Sequence, residues 1–379
     1  MDVPATPPSD NDATLAPARR LPARLGSAID RLAGIACIGL IAATIACLAA
    51  RASWLMALAC HFRVQYVLVA CALLIYAGLR RHRTSLVMGG AVTCALVLHL
   101  FVYVQAAWPA RETPATGPTL RLLLHNVYIG NRQRSAAVDQ ARAAAADVAI
   151  FLEVDQAWIA ELDTLALPHR LRIPRSDGFG IAVYSRHRIL EHDTWHLGDD
   201  GIPTLHLRLE VDGVTCTLIA THPLPPVGAA YAQARNAHLR ALAAHLHATD
   251  GPVVVAGDLN TTPYAPAYRD LLGTTDLRNA AAGRGHPPTW HANTPLALPL
   301  DHILVTPSIA VVTHRVLAAC GSDHRAVQVE LRLGQRPDRI GRWRRVRPTH
   351  SRRWRRPPCS RNPRHGHYRG RCEASRPGA

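Results

Sequence analysis

Polar side chains that can bind a metal, move a proton or contact a phosphate lie at the ends of five short apolar runs. Each run has the length and composition of a buried β-strand. The side chains are Asn126, Glu153 and His222, the pair Asp258 and Asn260, and the group Asp301, Asp323 and His324. A single Asp-x-Asn pair or histidine is more often structural than catalytic. The combination of all five sites in one region is what indicates chemistry.

These residue types together suit the hydrolysis of a phosphoester. A hard divalent cation takes oxygen ligands, and Mg²⁺ combines one or two carboxylates with water and substrate phosphate. Glu153 can be such a ligand, while Asp258 can orient or deprotonate the attacking water. Asn260 can fix Asp258 or contact a phosphate oxygen. Histidines titrate near neutral pH, so His222 and His324 suit proton transfer. The expected cofactor is therefore Mg²⁺ or Mn²⁺.

Short strand-like runs separated by helical patterns must position these side chains between residues 119 and 333. Strands are predicted at residues 120–124, 148–152, 181–185, 204–211, 214–221, 253–257, 302–305 and 326–333, and helices near 135–146, 156–166 and 229–248. The Asp212-Gly213 pair between two of the strands predicts a hairpin. Strands and helices mixed in this way predict a layered α/β domain, with two packed sheets flanked by helices.

The motifs around the polar residues resemble those of the endonuclease/exonuclease/phosphatase superfamily, which includes deoxyribonucleases, abasic-site endonucleases and sphingomyelinases. The resemblance is carried by HN at 125–126, LEV at 152–154, THP at 221–223, GDLN at 257–260, LDHILV at 300–305 and SDHRAV at 322–327, with GFGIAVYSRHRI at 178–189 as a further segment. It covers residues 119–333. It implies a four-layer α/β sandwich with its active site at one edge of the two sheets.

The resemblance also implies a metal site. Glu153 matches the main metal ligand of the superfamily, Asn126 matches its active-site asparagine, and Asp323 matches a metal-site aspartate. Some members carry an acidic residue two positions after that asparagine, where this chain has Tyr128.

The remaining residues match the groups that act on the phosphate and the water. His222 corresponds to the phosphate-contacting histidine, and Asp258 corresponds to the water-activating aspartate with Asn260 as its orienting partner. His324 corresponds to the final catalytic histidine, and Asp301 corresponds to the aspartate that supports it.

Three apolar stretches precede this region, at residues 32–50, 64–79 and 86–107. The first and third reach the roughly 20 residues needed to cross a hydrocarbon core, and the second is shorter. The run IACIGLIAATIACLAA has no polar face, which favours transmembrane helices over a buried soluble bundle. The predicted organisation is a disordered N-terminus at 1–31, three transmembrane helices within 32–107, the catalytic domain at 119–333 and a disordered arginine-rich tail at 334–379.

Arginines near these stretches predict an orientation. They cluster before the first stretch and at residues 80–83, whereas the loop between the first and second stretches holds only Arg51 and Arg63. The positive-inside rule then places the N-terminus and the loop near residues 80–85 in the cytoplasm. With three crossings, the protein is a multi-pass inner-membrane protein whose catalytic domain faces away from the cytoplasm. If the second stretch is only re-entrant, the domain faces the cytoplasm instead.

The charge of the chain restricts the substrate only weakly. The chain has 43 Lys+Arg against 27 Asp+Glu, and beyond Gly334 there are 15 arginines against Asp338 and Glu373. The catalytic region is therefore not a basic surface, which argues against tight duplex binding. The phosphoester substrate stays open between nucleic acid and lipid headgroups or small phosphoesters. The lipid bilayer is the expected partner, and no obligate protein partner is implied. A non-catalytic scaffold is disfavoured, because every key position holds a competent residue.

Overall fold

The computed structural model describes residues 23–80, 83–108, 116–198, 200–285 and 287–334. All of these residues belong to one structural unit. The predictions of disorder at residues 1–22 and 335–379 therefore fall outside the described residues. Arg81, part of the predicted cytoplasmic loop, does so too.

Four helices come first in the chain. They are α1 Ala23–Leu48, α2 Trp54–Ala59, α3 Arg63–Arg80 and α4 Arg83–Ala107, and a single 3-10 turn, Cys60–Phe62, joins α2 to α3. Three segments are long and apolar enough to cross a membrane, namely Ala28–Leu48, Trp54–Leu79 and Met88–Ala107. The predicted disordered segment 1–31 is too long, because α1 already begins at Ala23. Alanine, leucine and arginine in its first turn have high helix propensity.

The helices pack through small and medium apolar side chains and leave large ones exposed. Leu40 on α1, Ala70 and Leu73 on α3, and Ala95 on α4 are buried between the helices. Large apolar side chains such as Leu79, which is 79% exposed, cover the outer faces. Exposed apolar surface of this extent is typical of helices that face lipid.

The rest of the described chain is a mixed α/β domain. Its strands are β1 Thr119–Asn126, β2 Val148–Leu152, β3 His169–Ile173, β4 Ile181–Ser185, β5 Arg188–His196, β6 Pro203–Val211, β7 Val214–Ala220, β8 Val253–Asp258, β9 Arg278–Asn279, β10 Asp301–Val305, β11 Ile309–Val316 and β12 Val327–Leu333. Its helices are α5 Arg134–Ala143, α6 Gln156–Leu162, α7 Ala229–Leu246 and α8 Pro266–Thr274.

The strands form two six-stranded sheets, with the orders β11-β12-β1-β2-β4-β3 and β5-β6-β7-β8-β10-β9. The inner faces of both sheets bury one apolar core, to which Leu122, Ile150, Leu218 and Val254 contribute. Helices α5 and α6 cover the outer face of the first sheet, and α7 and α8 cover that of the second. The predicted four-layer α/β sandwich is confirmed. The predicted hairpin at Asp212-Gly213 joins β6 to β7.

Four strand ends of the two sheets bring polar residues together. In the first sheet, Asn126 ends β1 opposite Leu152 of the parallel strand β2, and Glu153 is the next residue. In the second sheet, Asp258 ends β8 and pairs across the antiparallel ladder with Asp301, which begins β10. The register of each sheet therefore carries these side chains to a common edge of the sandwich.

Candidate active site

Asp258 is at the centre of a cluster of buried polar side chains. Its Oδ2 lies 3.2 Å from Nδ2 of Asn126, 3.6 Å from Nε2 of His222 and 3.5 Å from Nε2 of His324. Its Oδ1 accepts a hydrogen bond of 2.9 Å from the backbone N–H of Asn260. Burial raises the pKa of Asp258 to about 6, against the opposing effect of the two histidines. A carboxylate with this pKa can accept a proton near neutral pH.

His324 is held by a second carboxylate on its other side. Its Nδ1–H donates a hydrogen bond of 2.7 Å to Oδ2 of Asp301. Burial acts to lower the pKa of His324, but the charges of Asp301 and Asp258 raise it to about 10. The imidazole is therefore cationic at neutral pH, with Nε2–H directed towards Asp258.

Glu153 is aimed into the same cluster by its backbone. It has φ of 62°, a left-handed conformation that is uncommon for a residue with a side chain. Its Oε1 accepts a hydrogen bond of 2.8 Å from Asn126 Nδ2, and its Oε2 accepts one of 3.3 Å from the backbone N–H of Ile129. These bonds hold the carboxylate in one orientation. Burial raises the pKa of Glu153, and the negative charge of Asp323 adds to that effect.

Asp323 is fixed by a tryptophan that the sequence did not indicate. Trp290 donates from Nε1 to Oδ2 of Asp323 over 3.0 Å, and the backbone N–H of His291 donates to the carbonyl of Asp323. The other carboxylate oxygen, Oδ1, is buried and has no hydrogen-bond partner within the described part of the chain. Trp290 lies in a loop without periodicity, so only its pairing with His324 in the folded chain reveals its position.

His222 follows β7 and presents its ring to the cluster. Nε2 lies 3.6 Å from Asp258, and the ring centroid is 5.3 Å from that of Phe179. Burial lowers the pKa of His222, although the charge of Asp258 opposes this. Nδ1 is buried and has no partner among the residues that the structure describes. His222 is therefore the neutral histidine of the site, whereas His324 is the charged one.

Asn260 acts on Asp258 through its backbone. Its N–H donates to the Asp258 carboxylate, while its side-chain Nδ2 donates to the carbonyl of Pro223 over 2.9 Å. Arg235, buried on α7, donates from Nη1 to the Asn260 carbonyl over 2.6 Å. The loop after β8 is thus tied to the loop that carries His222. Sequence patterns did not single out Arg235.

Two sets of side chains have the composition of a metal site. Suitable ligand atoms of Asp258, Asp301 and His324 lie within 4.8 Å of one another. In this set, His324 and Asp301 are already hydrogen-bonded to each other. Glu153 and Asp323 fit better, because both are oxygen donors, their negative charges repel each other and Asp323 Oδ1 has no partner.

Asn126 connects the two sets of possible metal ligands through hydrogen bonds. Its Nδ2 donates to both Glu153 and Asp258, and its Oδ1 accepts a hydrogen bond of 3.1 Å from the backbone N–H of Tyr128. These contacts position the carboxylates of Glu153 and Asp258. The prediction that Asn126 itself belongs to the metal site stays a prediction.

Most of these side chains line one cavity of about 670 Å³, a volume typical of small-molecule sites. Asn126 and Asp301 contact the lining residues Asp258 and His324 from behind. Glu153, Asp258, Asp323 and His324 line it from the α/β domain. Residues of α2 and the following turn line it from the helical region. The structure therefore brings every predicted site residue to one edge of the sandwich.

The profile of the Endonuclease/Exonuclease/phosphatase family matches residues 123–324, which is more than half of the chain and contains every predicted site residue. No curated protein sequence gives a significant match.

Solved structures give many matches to the fold. An endonuclease/exonuclease/phosphatase from Beutenbergia cavernae is 23% identical, over 57% of this chain and 72% of that chain, with a TM-score of 0.47. The mannosyl-6-phosphatase of Bacteroides thetaiotaomicron is 17% identical, over 56% and 99% of the two chains, with a TM-score of 0.49. TDP2 of D. rerio, in complex with a single-strand DNA product, is 17% identical over 56% and 98%, with a TM-score of 0.49.

Proposed function

We propose that this chain is held by a membrane anchor and uses Asp258 as its general base. The chain belongs to the endonuclease/exonuclease/phosphatase family and is thus a metal-dependent phosphoester hydrolase. The observation that carries the assignment is the convergence of Asn126, His222 and His324 on one oxygen of Asp258. Such a buried carboxylate, flanked by hydrogen-bond donors and a cation, has the geometry required of a group that takes a proton from water.

Glu153 and Asp323 are the proposed ligands of the divalent cation. Asn126 holds the Glu153 carboxylate and Trp290 holds that of Asp323, so that each is fixed before substrate enters. Mg²⁺ or Mn²⁺ bound there would neutralise charge on the phosphate and stabilise the leaving oxygen. The structure supports this with an unpaired buried oxygen on Asp323 and mutual repulsion between the two carboxylates.

Asp258 is the proposed base for the attacking water. The backbone N–H of Asn260 fixes one carboxylate oxygen, and the side chain of Asn126 contacts the other. Both bonds keep the carboxylate facing the cavity. Because burial raises its pKa towards neutrality, Asp258 can accept the proton and release it again within one turnover.

The two histidines are the proposed contacts to the phosphate. His324, cationic because of Asp301, can donate from Nε2 to a phosphoryl oxygen as negative charge grows in the transition state. His222, which is neutral, can contact a second oxygen without adding charge. Asp301 acts through His324, since it lies behind the imidazole and fixes its orientation.

The proposed membrane anchor consists of α1, α3 and α4. The α/β domain contacts this bundle just after α1 ends, near the start of α3 and near the end of α4. Arg51 pairs with Asp270 at 2.6 Å, and the carbonyl of Ala107 accepts a hydrogen bond of 2.7 Å from Gly283. These contacts lie at the opposite end of the bundle from the start of α1. They support three crossings. Together with the arginines before α1 and at residues 80–83, three crossings give a multi-pass inner-membrane protein with its catalytic domain on the non-cytoplasmic side.

Hydrolysis by purified full-length protein in detergent tests this function. The substrates are a chromogenic phosphodiester and a chromogenic phosphomonoester, each with Mg²⁺, Mn²⁺ or EDTA. Metal-dependent release that EDTA abolishes is expected for at least one of them. Equal release with and without EDTA would contradict the metal-dependent mechanism.

A further inference from the structure

The connecting segment, residues 54–62, forms one wall of the active-site cavity. It comprises α2 and the turn before α3. Trp54, Leu58 and Phe62 are spaced four residues apart, so they share one face of this helical segment. All three are partly exposed and line the cavity that contains Asp258 and His324. Nothing in phosphoester chemistry requires three apolar side chains in the lining of the cavity that holds the reacting groups.

A second segment also contributes apolar lining to the cavity. Pro225, Pro226 and Val227 follow His222 and line the same cavity. Val227 is 74% exposed, although transfer of a valine side chain out of water is favourable. Asp258, His222 and His324 are buried, whereas Val227 is exposed, so part of the accessible lining of the cavity is apolar. This arrangement matches an amphiphile with one phosphate and a hydrocarbon part.

The charge of the cavity disfavours a polyanion. Among the described residues that line it, Glu153, Asp177, Asp258 and Asp323 are acidic, and none is an arginine. Nucleic-acid binding depends on basic side chains that neutralise successive phosphates. A substrate with one phosphate needs only the cation and the histidines at the base of the cavity. The lining therefore favours a single phosphoester over a nucleic-acid strand.

The connecting segment lies between two helices of the proposed membrane anchor, so the cavity that it lines is close to the lipid bilayer. The segment joins the end of α1 to the start of α3, and both helices belong to the proposed anchor. It is also fixed to the catalytic loop, because Thr262 donates from its backbone N–H to Nδ1 of His61 over 3.2 Å. Thr262 is four residues from Asp258. The cavity thus opens between the catalytic loop and a segment at the membrane surface.

We propose that the substrate is a phosphoester lipid, whose phosphate reaches Asp258 while its hydrocarbon part lies against Trp54, Leu58 and Phe62. This inference rests on the proposed phosphoesterase function and names its substrate class. Hydrolysis forms a bond between a water oxygen and phosphorus and breaks the bond from phosphorus to the leaving oxygen. One water proton passes to Asp258 and then to the leaving oxygen.

Two chromogenic phosphodiesters that differ only in their tail test the inference. The full-length protein in mixed micelles is given the butyl and the hexadecyl ester of para-nitrophenyl phosphate, and separately a single-stranded oligonucleotide. The readout is the ratio of kcat/KM for the hexadecyl ester to that for the butyl ester. This ratio cancels the amount of folded protein in each preparation.

We expect the wild-type protein to prefer the hexadecyl ester by about tenfold or more, the scale of one buried apolar side chain. Leu58→Asn should remove most of that preference. Leu58→Ala should remove part of it, and it serves as the second variant if Leu58→Asn folds poorly. Leu55→Asn is the matched control, since Leu55 is on the same helix, is exposed and does not line the cavity. Its ratio should equal that of the wild type.

Equal kcat/KM for the two esters, a preference that Leu58→Asn leaves intact, or faster cleavage of the oligonucleotide would overturn the lipid inference. Each of these results would leave the phosphoesterase function standing. Failure of the wild-type protein to cleave any of the three substrates with Mg²⁺ or Mn²⁺ would instead remove the proposed function, and the inference with it.

Discussion

His324 and Asp301 form a buried pair in which Nδ1–H of the imidazole donates to Oδ2 of the carboxylate over 2.7 Å. The two residues meet because β10 begins at Asp301, while the loop before β12 carries His324 back across the sheet edge. The carboxylate both orients the ring and stabilises its cationic form. The proposed role of His324 as a phosphate contact therefore depends on Asp301.

Asp301→Asn should move the alkaline limb of the rate profile. Asp301 raises the pKa of His324, so its loss lowers that pKa. The imidazolium is present below its pKa and lost above it, so the variant should lose kcat/KM at a lower pH than the wild type. The measurement is kcat/KM from pH 6 upward with a tail-free phosphodiester. An unchanged alkaline limb with a uniformly reduced rate would indicate a structural role only.

Glu153→Gln should weaken metal binding more than folding. The substitution keeps the shape of the side chain and its acceptor oxygen for Asn126 or Ile129, but removes the charge that attracts a cation. We expect the Mn²⁺ concentration for half-maximal activity to rise by at least about tenfold. The thermal unfolding midpoint in EDTA should stay close to that of the wild type. Unaltered Mn²⁺ dependence would exclude Glu153 as a ligand.

Trp290→Phe should act on the same metal dependence through Asp323. The change keeps an aromatic ring but removes the Nε1–H that holds Oδ2 of Asp323. We expect a several-fold higher requirement for Mn²⁺, with little loss of rate at saturating metal. Trp195→Phe is the control, since Trp195 donates in the same way to Asp193 on an edge strand away from the cavity. Equal effects of the two variants would disprove the assignment.

The topology can be read from reporter fusions after Ala107. Three crossings place this residue outside the cytoplasm, so an alkaline phosphatase fusion should be active and a fluorescent protein fusion should be dark. The second crossing is the one at issue, because helix α3, Arg63–Arg80, is about 27 Å long at 1.5 Å per residue, slightly shorter than a typical ~30 Å core. The opposite pair of results would mean that the domain is cytoplasmic, either because this stretch does not cross or because the orientation is inverted.

Central strands could be predicted from the sequence, and edge strands could not. Strands β2 and β4 have the predicted bounds, since VAIFL and IAVYS are buried on both faces and read as continuous apolar runs. Strands β3 and β5 were missed, because their sequences HRLRI and RILEHDTWH keep many exposed polar residues at the sheet edges. The short helix α8, Pro266–Thr274, was missed as well.

The site shows the same division. Glu153, Asp258 and His324 could be predicted because each lies at or near a strand end within a recognisable motif. Trp290 and Leu58 could not, because their roles arise only when distant parts of the chain pack together. Leu58 has the hydropathy of a membrane helix, and tertiary contacts such as that between His61 and Thr262 bring its segment to the cavity.

The most direct test is to compare kcat/KM of Asp258→Asn with that of the wild type, using a tail-free phosphodiester and saturating Mn²⁺. This comparison decides whether the cluster around the Asp258 carboxylate performs the reaction. Asparagine keeps the size of the side chain but cannot take a proton, so kcat/KM should fall by at least ~10²-fold. Asp212→Asn is the control, because Asp212 lies in the β6–β7 turn at the opposite end of β7 from His222 and tolerates asparagine at φ of 44°. Its rate should equal that of the wild type. Near-normal hydrolysis by a folded Asp258→Asn protein would contradict the proposed mechanism.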